Sequence, residues 1–253
     1  MEKKLLFPSI SPTAWKLLYK TLFLLAGLLL VFGDEFSFRS LFVFMMMLAI
    51  VYFSQITGRE TLRFSFWSFL GLVVAGLYLL GQHPVLFASF PVLIPFIFLL
   101  SAVALFLLLG LGHFFFKDRF LIYGIFNTAE LLVLFLVFQP LFEVSFWWFP
   151  VFFTIITLLF REFFAFVNIK LHAQSLVASG AAGLITTEIF FVTQFLPLGV
   201  LNAAALFTVV SLLLRDTLSA HFEGVLDRAF VMREMTILVL FTLIIFASSR
   251  WSI

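Results

Sequence analysis

Basic residues in this chain are confined almost entirely to every second gap between its apolar runs. Lys3, Lys4, Lys16 and Lys20 gather around the start of the first run. Arg59 and Arg63 follow the second, Lys117 and Arg119 the fourth, Arg161 and Lys170 the sixth, and Arg215, Arg228 and Arg233 the eighth. Of the 15 Lys and Arg residues, Arg39 and Arg250 alone fall elsewhere. Cations retained on one face of a bilayer follow the positive-inside rule. The pattern predicts an all-α, polytopic transmembrane helical bundle of about nine spans, with the N-terminus in the cytoplasm and the C-terminus outside.

Composition narrows the class further. The chain is 64% apolar and 11% charged, against roughly half and a quarter in soluble domains. Its net charge of +2 comes from the basic gaps, which points to the lipid bilayer and its anionic headgroups and not to nucleic acid. With 0 Cys, disulfides, thiolate metal sites and cysteine nucleophiles are excluded. The 40 Phe are not codon drift, because Lys and Asn stay scarce; they read as bulky lipid-facing or packing residues. Lys3 and Lys4 are followed by prolines, and the first run ends at Gly33-Asp34-Glu35 without a small-x-small cleavage site. It is therefore expected to be a span and not a cleaved signal.

The expected span cores lie at 17–32, 41–56, 64–80, 90–111, 120–138, 145–160, 176–196, 198–214 and 235–249 of a single integral membrane domain, 1–253. Several fall short of the roughly 20 residues that cross a bilayer core, which calls for snorkelling or local thinning. Trp15 and Trp67 fall at expected cytoplasmic edges, and Trp147, Trp148 and Trp251 at outer ones, as an aromatic belt requires. Apolar residues continue from Phe163 to Ile169, leaving the boundary between the sixth and seventh spans open. In 215–234, Leu218, Phe222, Val225, Ala229 and Met232 form one apolar stripe among Asp216, Ser219, Glu223, Asp227 and Arg228. That stripe predicts a single amphipathic helix lying in the membrane interface. The stretch from Gly81 to Phe90 is apolar and uncharged, which suits a re-entrant or interfacial loop.

A tandem repeat is also visible. Phe153-Thr-Ile-Ile-Thr-Leu-Leu-Phe-Arg161-Glu162 matches Phe207-Thr-Val-Val-Ser-Leu-Leu-Leu-Arg215-Asp216. Upstream, Thr128-Ala129-Glu130 with Pro140 mirrors Thr186-Thr187-Glu188 with Pro197. Spans five and six thus resemble seven and eight as helical hairpins, with fainter echoes at Arg59-Glu60 and Lys117-Asp118.

Glu130 and Glu188 are the only acidic residues inside the expected span cores. Counted back from Pro140 and Pro197 at about 1.5 Å per residue, each lies roughly 14 Å from its outer end, so the two are expected at similar depth. Acids there cost about 2.5–3.5 kcal/mol and face protein or water. No Lys or Arg is expected at that depth. Tyr123, Asn127 and Glu130 share one helical stripe, while Ser175, Ser179, Gly183 and Thr187 form a small-residue packing face beside Glu188, with Gln194 further out. Small residues on such a face let a second helix approach closely. Two readings compete: a shared proton- or cation-handling site, and two acids hydrogen-bonded across the bundle to set helix register.

Other motifs carry little. Ser179-Gly180 lacks a general-base His within a span, the nearest downstream being His221, and is better read as packing. His113, His172 and His221 show no zinc-ligand spacing, and no cofactor or metal is implied. The segment Glu188-Ile-Phe-Phe-Val-Thr-Gln-Phe-Leu-Pro197-Leu-Gly resembles one in polytopic membrane proteins of small-genome, candidate-phylum bacteria. The similarity covers roughly the last three spans and implies a bacterial cytoplasmic-membrane location without an activity. Three functions are expected in order: a structural or assembly component of a membrane complex, joined to a membrane-protein partner or a second copy; a small-solute or proton/cation-coupled carrier using Glu130 and Glu188; and last a lipid-modifying enzyme.

Overall fold

In hydrocarbon no water can satisfy a free peptide group, so each apolar run must close its own backbone hydrogen bonds as a helix. The computed structural model describes residues 12–53, 63–81, 93–112, 117–166 and 172–249, and among them it is all helical. In chain order the helices are α1 (Pro12–Gly33), α2 (Phe38–Phe53), α3 (Arg63–Gly81), α4 (Leu93–Gly112), α5 (Arg119–Val144), α6 (Trp148–Phe166), α7 (His172–Phe195), α8 (Val200–Glu223) and α9 (Arg228–Ser248). Six of them, α1 and α5 to α9, are long and apolar enough to cross a membrane. The other three contribute shorter apolar stretches, Phe38–Val51, Phe64–Tyr78 and Phe98–Leu111. The chain is a helical membrane bundle in contact with lipid.

The helices fall into two compact units. One comprises Met1–Leu62 and Val73–Tyr123, the other Arg63–Leu72 and Gly124–Ile253. In the first, α1 packs on α2 and α4. Gly27 permits the close approach of α2, since a Cβ there would stand 2.7 Å from the Phe44 ring. Asp34 N–H bonds Leu30 O at 3.0 Å and Phe36 N–H bonds Val31 O at 3.0 Å, closing α1. That closure puts Glu35 and Phe36 at φ 49 and 60, a region non-glycine residues seldom occupy. Ser37 Oγ then accepts from Ser40 N–H at 3.2 Å and opens α2, as an N-cap hydroxyl does.

The second unit is held at one end by phenylalanine. Phe135 and Phe142 of α5, Phe152 of α6, Phe190 of α7 and Phe207 of α8 interlock, with ring centroids 4.4 Å apart for Phe152–Phe190, 4.8 Å for Phe142–Phe190 and 5.1 Å for Phe135–Phe207. Tilted and edge-on ring pairs add roughly 0.5–1.5 kcal/mol each beyond area burial. Part of the phenylalanine excess is thus interior packing. Gly183 of α7 lies against α6, where an added Cβ would come within 3.2 Å of Thr157 Cα. α9 packs on α8, and of its residues Ile245 alone is buried.

Several expected boundaries move. α6 runs on to Phe166, taking up part of the ambiguous apolar stretch. α5 continues through Pro140 to Val144, because a proline in a membrane helix forfeits one backbone bond without stopping it. The single amphipathic helix expected over 215–234 is divided. α8 continues to Glu223 and ends at Gly224, whose φ of 71 is left-handed and suits a glycine cap. Asp227 then accepts from Phe230 N–H at 2.7 Å and starts α9. The stripe fails because Phe222 is drawn to the Phe164 ring of α6, 6.1 Å away, while Val225 is exposed in the turn. The loop from 82 to 90 with His83, and also Lys3, Lys4, Arg59, Glu60, His113, Lys170, Arg250 and Trp251, lie outside the described residues.

Gly183→Ala forces α6 and α7 apart and is expected to destabilise the bundle by about 1–3 kcal/mol, the usual cost of overpacking. Thermal unfolding in detergent checks this: the Tm falls, and Thr157→Ala in the same chain recovers part of the loss. An unchanged Tm would contradict the packing.

Candidate functional site

The opposite end of the second unit is polar. There the C-terminal ends of α6 and α8 meet the first turns of α3 and the N-terminal half of α5, so these two pairs run in opposite directions. A helix start leaves N–H groups without intrahelical acceptors. At α3 the acceptor is Glu162 of α6. Its Oε1 accepts from Phe64 N–H at 3.0 Å, and its Oε2 accepts from Ser65 N–H and Ser65 Oγ, each at 2.6 Å. A carboxylate in that position satisfies orphan donors and also complements the positive end of the helix dipole.

One turn further along α3, Ser68 Oγ donates to Glu130 Oε1 of α5. Glu130 is 1% exposed, and its second oxygen, Oε2, is buried without a hydrogen-bond partner. One turn before it, the buried Asn127 accepts at Oδ1 from Arg215 Nη1 of α8, 3.1 Å away. Arg215 Nη1 also reaches Gly124 O at 3.3 Å, its Nε donates to Asp216 Oδ1 at 2.8 Å, and its guanidinium stands 4.5 Å from the centre of the Phe163 ring. Arg215 is 6% exposed. A buried unpaired charge costs several kcal/mol; three acceptors and an aromatic face offset that cost.

Tyr123, Asn127 and Glu130 share a buried face of α5, as their spacing predicts. Glu188 does not join them. It lies on the exposed face of α7 with Leu184, Ile185, Phe191 and Val192, because Thr186 and Thr187 occupy the buried side. Nor are the two acids matched along their helices: α5 extends well past Pro140, whereas Glu188 sits two turns before the end of α7 at Phe195. Thr187 Oγ1 bonds Gly183 O at 2.6 Å and Gln194 Nε2 bonds Phe190 O at 3.5 Å, so both turn back to their own helix. Ser179, Gly183 and Thr187 are buried and Ser175 is half-buried; Ser179 Oγ donates to Leu176 O at 2.9 Å. The two acids thus do not form a shared site.

Four participants were missed from sequence: Ser65, Ser68, Glu162 and Arg215. The expectation that no cation approaches the depth of Glu130 is corrected by Arg215, which enters the bundle one turn from it. The signal lay in the matched dipeptides. Arg161-Glu162 and Arg215-Asp216 align in the repeat, yet Arg161 is exposed and Glu162 turns inward, whereas Arg215 turns inward and Asp216 stays half-exposed. The two repeats present different helical faces to the core. Comparison of the chain with protein-family models, with curated proteins and with solved structures found no match.

Glu162→Ala removes the acceptor at the start of α3 and is expected to cost about 1–2 kcal/mol, the range of a lost helix cap, with Glu162→Gln intermediate. Denaturant titration in detergent measures the loss, and amide exchange at Phe64 and Ser65 should accelerate. Arg215→Met is expected to cost about 1–3 kcal/mol by leaving Asn127 unsatisfied. In a double-mutant cycle with Asn127→Leu, a coupling energy near zero would contradict the contact.

Proposed function

We propose that this protein is a structural or assembly component of a membrane complex. The observation that carries the reading is Glu188. It is an exposed acid on an apolar helix face, with no hydrogen bond or ion pair among the described residues. An acid facing lipid at that position carries a cost of about 2.5–3.5 kcal/mol, which another transmembrane surface relieves by supplying a polar partner. The inward polar groups fit the same role. Glu162, Ser68, Asn127 and Arg215 are engaged with one another's helices and work as ties.

In this reading the polar end of the second unit faces the cytoplasm, because Arg161, Arg215, Arg228 and Arg233 cluster around it in sequence. The chain then threads nine times, N-terminus in and C-terminus out, in a bacterial cytoplasmic membrane. Reporter fusions near residues 118 and 218 are expected to report cytoplasmic positions; periplasmic readouts at both would invert the assignment.

The assembly role is tested by size. Gentle extraction from native membranes is expected to yield a particle larger than the 28.9 kDa chain, retained by Glu188→Gln and reduced by Glu188→Leu. A lone monomer for the unaltered protein would sink the reading.

One observation favours a second reading, a proton- or cation-coupled carrier: the unpartnered Oε2 of Glu130. A carbodiimide is expected to label Glu130 more slowly when the transported cation is present. Labelling indifferent to every cation tried, with Glu130→Gln folded and active, would return Glu130 to setting helix register.

A further inference from the structure

In the first unit α1 and α2 meet closely at Gly27, where an added Cβ would stand 2.7 Å from the Phe44 ring. Lys20 lies seven residues before Gly27 and Val51 seven after Phe44, so in these antiparallel helices the two share a level about two turns from that contact. At this level a groove of about 550 Å³ opens, lined by Tyr19, Lys20, Leu22, Phe23, Ile50 and Val51. Tyr19, Leu22, Phe23 and Ile50 are exposed along it, and Val51 is buried. Lys16 stands one turn before Lys20. Trp15 and Tyr19 flank the pair, their ring centroids 6.2 Å apart. Neither α1 nor α2 carries an Asp or a Glu.

We propose that this groove holds an anionic phospholipid, its phosphate bridging Lys16 and Lys20 and an acyl chain lying along Leu22, Phe23 and Ile50. Order along α1 selects the occupant. Trp15 and Lys16, then Tyr19 and Lys20, then Leu22 and Phe23 pass from amphipathic and cationic to wholly apolar. A phospholipid repeats that order from phosphate through glycerol to chain, and Trp and Tyr settle at the headgroup level of a bilayer. Charge selects as well. Like charges one turn apart on a helix repel; a phosphate between the two ammonium groups relieves the repulsion and accepts from both. An apolar helix laid in the groove would bring no anion. Basic pockets between membrane helices hold anionic headgroups for the same reason. The site belongs to the first unit and is independent of the reading of Glu188.

Native mass spectrometry tests it. The full chain in neutral detergent is given equal amounts of phosphatidylglycerol and phosphatidylcholine with the same acyl chains. One phosphatidylglycerol per chain is expected to be retained in preference. Lys16→Gln and Lys20→Gln each reduce that preference about fivefold, the contribution of one cation near an anionic surface, and Lys20→Arg keeps it. Arg228→Gln with Arg233→Gln, a basic pair at the start of α9, leaves it unchanged. Ile50→Trp fills the groove with both lysines in place and lowers retention of either lipid, which decides the matter should the Gln variants not fold. Equal retention of the two lipids by the unaltered chain overturns the proposal, as does a preference that survives loss of both lysines. If Ile50→Trp shrinks the particle and leaves the lipid count alone, a protein occupies the groove and the lipid site falls.

Discussion

A carboxylate of one helix closing the start of another is the contact on which the polar end of this bundle depends. Without water, every unpaired backbone donor and every buried side-chain dipole must find its partner in protein. Glu162 answers that demand for α3, and in doing so ties α6 to α3. Ser68 then joins α3 to Glu130 of α5, and Asn127 joins α5 to Arg215 of α8. The links run in series, so loss of one leaves neighbours unsatisfied and not merely unconnected. At the far end α5, α6 and α8 are gathered with α7 by phenylalanine rings. Packing there needs shape alone, since apolar surface gains nothing from leaving lipid for protein.

The acids of the second unit divide by the side of the helix they occupy. Glu130 and Glu162 face other helices; Glu188 faces outward. The two functional readings follow from that division. Inward acids hold the bundle, and an outward one in an apolar surface asks for a partner. The unpartnered oxygen of Glu130 is not accounted for by tying helices together, which is why it supports a carrier.

Periodicity and charge in the sequence identify membrane helices because both are local properties: an apolar run is apolar wherever it goes. The stripe of Tyr123, Asn127 and Glu130 was legible for the same reason, being three residues of one helix. The pairing of Glu130 with Glu188 was not. It assumed that matching sequence positions relative to proline imply matching positions in space, and α5 continuing through Pro140 breaks the assumption. The stripe over 215–234 failed similarly, since one glycine in a left-handed conformation reassigns its halves to separate helices. Arg215 and Glu162 stood out only as matching ends of a repeat, because rotation about a helix axis is invisible to a one-dimensional repeat.

By itself the sequence determined the apolar surroundings of this protein and its helical class, since hydropathy and helical pitch are set residue by residue. Only the tertiary structure decided which side of each helix is turned inward. That choice separates Glu130 from Glu188 and brings Arg215 to Asn127. It depends on the sum of contacts from several helices at once, of which any one segment carries only its own share.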